Sequence, residues 1–181
     1  ILRYDGKPCL TRVYPERVAY IGDINIIGIS RTISYRREIV FGLRKQPYLA
    51  VERVDHYGQP YAKTSWMFKN NIASWTWPGY EGKPARVDIY SDAREVELFI
   101  NGTSLGRKPV GEDFEYMATY ELAYEPGELI AVAYDDCYQV SRENEGLHAN
   151  QQVSVNNVET GRISLRTAGP DIHMQAECDC T

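Results

Sequence analysis

Cysteine is scarce in these 181 residues: Cys9, Cys137, Cys178 and Cys180 are all there is. They are too few and too irregularly spaced for a disulfide scaffold, so reduced thiols are expected. No apolar run is long enough to span a bilayer, and no membrane role is expected. The opening Ile1-Leu2-Arg3-Tyr4-Asp5 has neither the charged nor the apolar region of a signal peptide, and none is expected there. There is no glycine-rich phosphate loop, no Gly-x-Ser-x-Gly elbow and no His-Glu-x-x-His. His173, Cys178 and Cys180 lack the second ligand pair of zinc patterns, and His56 and His148 have no partner in sequence, so neither a metal nor another cofactor is expected. Basic charge is short as well. Residues 1–60 carry net +4 and residues 61–181 net −9, and the acidic larger part argues against nucleic acid as a partner.

What is present is the composition of a globular chain, with 43% apolar and 25% charged residues. The clearest local signal lies between Val87 and Leu105. In Glu95-Val96-Glu97-Leu98-Phe99-Ile100 the aliphatic residues alternate with the glutamates, so a strand there has one apolar and one acidic face. Asn101-Gly102 follows, and a type I′ hairpin turn needs positive φ at both of its central residues. Residues 114–122 read as a long strand with Phe114, Tyr116, Ala118, Tyr120 and Leu122 on one face. Residues 129–134 are apolar throughout and read as a central strand ending at Asp135-Asp136. Residues 138–142 and 161–168 read as weaker strands, and 144–157 as a long polar loop. Short strands with turns between them predict a mainly β chain, an antiparallel β-sandwich of the immunoglobulin type. Its predicted core holds Val87, Ile89, Val96, Leu98, Ile100, Leu129, Ala131 and Val132.

Upstream, Ser34 reads as an N-cap, and Tyr35, Ile39, Val40 and Leu43 form a helical stripe that Pro47 ends. Such a short helix needs a surface to dock on. Either the helix folds back on its own sandwich or it pairs with a second copy; no complementary stripe is visible in residues 84–170, so the expectation is a homodimer through the Tyr35, Ile39, Val40, Leu43 face.

Two groups of residues are candidate sites. Trp66, Trp75, Trp77 and Tyr80 suit either of two roles, a carbohydrate-stacking platform or the anchoring of a connector by large buried rings. Anchoring is the expectation, and exposure separates the two. Glu95 and Glu97 share a strand face and formally offer a carboxylate pair, but alternating glutamates are the ordinary solvated face of a strand. Asn101-Gly102-Thr103 is a glycosylation sequon whose Asn-Gly the hairpin already explains.

Several stretches resemble family-two glycoside hydrolases, the bacterial β-galactosidase group. Gly22-Asp23-Ile24-Asn25-Ile26-Ile27-Gly28 and Ser34-Tyr35-Arg36-Arg37-Glu38-Ile39-Val40 look like the end and last helix of the catalytic barrel. Trp75-Thr76-Trp77-Pro78-Gly79-Tyr80 is similar to the connector that follows. Glu95 to Gly106, Tyr124 to Leu129 and Leu165 to Gly169 look like the immunoglobulin-like accessory domain. The resemblance implies residues 1–47 as a short α-helical remnant of a (β/α)8 barrel, 48–83 as an aromatic connector and 84–170 as the sandwich. Residues 171–181 are then a tail or the start of a further domain. It implies a bacterial parent, cytoplasmic or periplasmic, that cleaves β-linked sugars with two carboxylates. The family's catalytic glutamates precede everything present here, so no catalytic residue is assigned. The implied partner is the parent's own barrel, with the chain as a non-catalytic structural module; a carbohydrate-binding module using exposed aromatics is the alternative.

Overall fold

The computed structural model describes residues 23–24, 28–58, 71–142 and 151–169, with 137–142 and 151–155 as backbone. Two four-stranded antiparallel sheets face each other, preceded by one short helix. Helix α1 spans Thr32–Val40. The first sheet has the order β2-β1-β3-β6, from Asn71–Ile72, Tyr48–Glu52, Pro84–Tyr90 and Met117–Ala123. The second has the order β5-β4-β7-β8, from Thr103–Pro109, Glu95–Ile100, Glu128–Arg142 and Gln151–Arg166. Strands β1 and β2 come from the stretch read as a connector, and both pair within the first sheet.

The hairpin forms where the alternation places it. Asn101 and Gly102 both take positive φ, 49° and 82°, and join β4 to β5. Val96, Leu98 and Ile100 point between the sheets and meet Leu49, Val51, Val87, Ile89, Ala118, Leu129 and Ala131 there. All eight predicted core residues are buried. Val132 is buried on the opposite side, since it pairs with the outward Glu97. The Tyr120 hydroxyl joins the sheets, sharing its proton between the carbonyls of Val96 at 2.8 Å and Gly106 at 3.1 Å. A buried tyrosine needs such a polar partner.

The boundaries of four elements differ from expectation. Strand β6 starts at Met117, because Glu112–Phe114 form a 3-10 turn and Glu115 and Tyr116 have positive φ. Phe114 is therefore half exposed instead of lying on the strand face. Strand β7 does not stop at Asp135-Asp136: it continues to Arg142, and β8 returns from Gln151, so 151–157 is strand. Helix α1 begins at Thr32 with Arg31 as the capping residue, and Ser34 lies in its first turn. It ends at Val40 because Gly42 turns left-handed at φ 69°. Leu43 N–H then donates to the Glu38 carbonyl and Gly42 N–H to that of Ile39, a Schellman closure.

The first sheet's outer face supplies the surface α1 needs. Ile39 is buried against Ala50 and Tyr90, with Tyr48, Tyr116 and Met117 around them. Tyr35 stacks on Tyr48 with ring centroids 4.1 Å apart, and the Arg44 guanidinium lies 4.9 Å from the Tyr35 ring centroid. A polar seam fixes the helix start: Thr32 Oγ1 donates to the Asn71 carbonyl, and Asn71 Nδ2 donates to buried Asp88 at 2.6 Å. The predicted stripe is thus corrected. Tyr35 and Ile39 serve the sandwich, and Val40 and Leu43 turn outward with Phe41.

Candidate functional site

The aromatic candidates separate by burial. Trp75 has no exposed surface; its Nε1 donates to the Glu125 carbonyl at 2.9 Å, and its ring meets Tyr124 edge-on at 5.0 Å. Trp77 is 7% exposed, and its backbone N–H donates to the Tyr124 hydroxyl. Tyr124 thus ties both tryptophans to the turn before β7. A stacking platform needs open ring faces, and neither tryptophan offers one. Tyr80, in the Pro78-Gly79 turn, is 36% exposed. Trp66 lies outside the described residues, as do His148, His173, Cys178 and Cys180. Among the described residues no three potential metal ligands gather.

The two glutamates point outward from β4, as their alternation requires. Glu97 accepts from the Ser104 hydroxyl at 2.5 Å and from Arg107 Nε at 3.2 Å, and Glu95 lies 3.8 Å from the same guanidinium. Arg107 in turn sits 3.8 Å from the Tyr134 ring centroid. This is a cross-strand charge ladder. The Ser104 hydroxyl, followed by Arg107, holds the Glu97 carboxyl below its ordinary value of 4.5. A carboxylate kept ionised in this way is the opposite of a glycosidase general acid, whose pKa is raised. Because the folded value is the lower one, these contacts stabilise the fold above the ordinary glutamate range. They are lost as pH falls through the folded value. Carboxyl NMR titration is expected to place Glu97 below an ordinary glutamate and to show an upward shift in Ser104→Ala; an unchanged value there would remove Ser104 as the leading cause.

The outward end of α1 is different in kind. Val40, Phe41 and Leu43 are 42%, 75% and 79% exposed. Beside them a cleft of about 570 Å³ is lined by Ile33, Arg36, Val40, Phe41, Glu115 and Tyr116, among others. Its far wall is the turn before β6. Two successive non-glycine residues, Glu115 and Tyr116, hold φ of 55° and 57° there. Such conformations persist only where surrounding contacts enforce them. Arg36 supplies those contacts, donating to the Glu115 carbonyl through Nε at 3.0 Å and Nη2 at 2.6 Å. Arg37 pairs with Asp23, and the Arg31 N–H donates to the Asp23 carbonyl, so Asp23 is held against the helix. The helix and the turn therefore form one apolar wall rimmed by paired charges. Among the described residues that line the cleft, Glu115 alone carries a carboxylate. In sequence the wall's apolar members were visible at Val40 and Leu43; the Glu115-Tyr116 wall was not, because left-handed tyrosine and glutamate carry no compositional signal.

Residues 82–140 match the family model described as Domain of unknown function (DUF4982). No curated protein matches the chain. Two solved structures of a glycosyl hydrolase family 2 (GH2) member from Bacteroides cellulosilyticus are 30% identical to it, with TM-scores of 0.62 and 0.59. Each alignment covers 82% of this chain and 17% of the other. A β-glycosidase from Bacteroides vulgatus, 22% identical with a TM-score of 0.52, shares the fold over 86% of this chain and 14% of its own. The chain therefore spans about a sixth of the glycoside hydrolases it resembles, and what it is similar to is a part of them.

Proposed function

We propose that the chain is a non-catalytic structural module of a family-two glycoside hydrolase, and that it packs on the catalytic barrel of the same polypeptide. The observation that carries this reading is the outward end of α1. Val40, Phe41 and Leu43 stand in solvent where the chain enters the sandwich. An apolar patch of that kind marks a contact with another protein surface. In this reading α1 is the last helix of the barrel and the sandwich is the immunoglobulin-like domain after it. The two acidic residues that resemble a catalytic pair are committed to Arg107, and the buried tryptophans hold the connector on the sandwich. Chemistry then belongs to the barrel, as a retaining two-carboxylate cleavage of a β-linked sugar of the β-galactoside type.

Activity assays test this directly. The 181-residue chain is expected to release no chromophore from aryl β-galactoside or aryl β-glucuronide, and the full-length polypeptide is expected to cleave one of them. Turnover by the chain alone that survives repurification and disappears in Glu97→Gln or Glu115→Gln would overturn the reading.

A further inference from the structure

The hairpin of β4 and β5 turns on Asn101-Gly102, a pair that occurs once in the sequence. Its asparagine does more than supply a positive φ. In the second sheet β4 lies between β5 and β7. After Asn101 the backbone turns towards β5, where Thr103 pairs with Ile100. The Asn101 side chain reaches the other way, to the turn that enters β7. There its Oδ1 accepts from the Glu128 N–H at 2.9 Å, and its Nδ2 donates to the Pro126 carbonyl at 3.2 Å. The Asn101 N–H also donates to the Glu128 carbonyl at 2.9 Å. Gly127 makes room for the amide: a Cβ there would lie 1.8 Å from Asn101 Oδ1 and 2.7 Å from Cγ. Gly127 is held in turn, because its N–H donates to Thr167 Oγ1 at 2.9 Å and its carbonyl accepts from the Thr167 N–H at 2.8 Å. Residues 126–128 thus form a seat for one side-chain amide at the exposed tip of a hairpin.

That amide is chemically labile, because the next residue is glycine. The Gly102 nitrogen can attack Asn101 Cγ. The Cγ–Nδ2 bond then breaks, and ammonia leaves with the proton of the Gly102 N–H. Water opens the resulting cyclic imide at either carbonyl, which leaves aspartate or isoaspartate. A side chain after the asparagine would crowd the attack, and here the space around Gly102 is open: nothing lies within 4 Å of where its Cβ would be. Ring closure needs the nitrogen and Cγ in near-attack contact, about 3–3.5 Å apart with the right approach. The seat draws Cγ towards β7 while Gly102 leads towards β5. The amide must therefore leave Pro126 and Glu128 before the ring can close.

We propose that Asn101 is a deamidation site that the turn at 126–128 holds closed. Reaction then proceeds through local opening of the seat, at the rate of the open chain multiplied by the fraction open. Its products cannot return to the seat unchanged. Aspartate at 101 has no proton for the Pro126 carbonyl, and its charge joins Glu125 and Glu128 at one turn. Isoaspartate lengthens the backbone inside a turn whose φ angles are 49° and 82°. Either product unfastens the hairpin from the entry of β7, so the site is a one-way covalent switch at this end of the sandwich.

Timed incubation of the 181-residue chain in mildly alkaline buffer, read by peptide mass and isoaspartate detection, tests this. Asn101 is expected to deamidate about tenfold or more slowly in the folded chain than in the same chain held unfolded in guanidinium chloride. Gly127→Ala forces the amide from its seat and is expected to recover most of that difference. Thr167→Val leaves Gly127 in place but removes the hydroxyl that holds it, and is expected to raise the rate as well; it carries the comparison if Gly127→Ala does not fold. Slow amide exchange along β4 identifies a folded variant. Equal rates for the parent in native buffer and in denaturant overturn the proposal. A folded variant that reacts as slowly as the parent also overturns it, because protection would then come from the hairpin backbone and not from the seat.

Discussion

Replacing Trp75 by alanine is expected to destabilise the sandwich by about 3–5 kcal/mol, the largest single effect in this domain. The ring is fully enclosed, so its removal leaves a cavity that the two sheets cannot collapse to fill. The edge-on contact with Tyr124 disappears, and the Glu125 carbonyl loses its indole donor. Trp75→Phe separates these contributions. It keeps an aromatic edge against Tyr124 and removes the hydrogen bond, with an expected loss of about 1–3 kcal/mol. Tyr80→Ala, at the half-open turn, is expected to stay within about 0.5 kcal/mol of the parent. Urea midpoints at constant slope provide the measurement. A Trp75→Ala midpoint close to that of the parent would show that the ring is not part of the core and would reopen the stacking role for it.

The contrast between tryptophan and hairpin shows what kind of information the chain carries locally. Glu95 to Leu105 is legible because alternation and an Asn-Gly turn are short-range facts, and the structure realises both. The anchoring of Trp75 and Trp77 depends on Tyr124, 49 and 47 positions away, and sequence offers only the general burial tendency of indole. The end of α1 was legible in principle. Gly42 sits at the position a Schellman closure requires, yet Pro47, the louder signal, drew the boundary too late. Strands β7 and β8 ran past expectation for a related reason. Asp135 and Asp136 look like a strand terminator, but Arg94 takes up both carboxylates and the ladder continues.

The α1 surface was half legible for a reason of geometry. The period of two that marks the core face of each strand leaves a second set of residues on its reverse. Tyr48, Ala50, Tyr90 and Met117 are that set, and they receive Tyr35 and Ile39. The sandwich therefore has its own stripe complementary to half of the helix, and because it is made of strand residues it leaves no helix-like period in the sequence. The part of the stripe left exposed is narrower than the four-residue face read from sequence, and beside it stands Phe41, which the stripe passed over.

The face assignment itself is tested on β4. Leu98 is fully buried between the sheets, and Leu98→Ala is expected to cost about 2–5 kcal/mol. Phe99, its neighbour, points to the outer face and is only partly buried. Its truncation opens no enclosed cavity, so Phe99→Ala is expected to lose about 1–2 kcal/mol despite removing the larger side chain. The order of the two effects is the diagnostic. Leucine to alanine removes less apolar surface than phenylalanine to alanine, so only enclosure makes the leucine change the more damaging one. Chemical denaturation of both variants at one protein concentration settles it. A larger loss at Phe99 than at Leu98 would mean that β4 presents its other face to the core, and with a pleat of two that reversal would carry Glu95 and Glu97 inward with it.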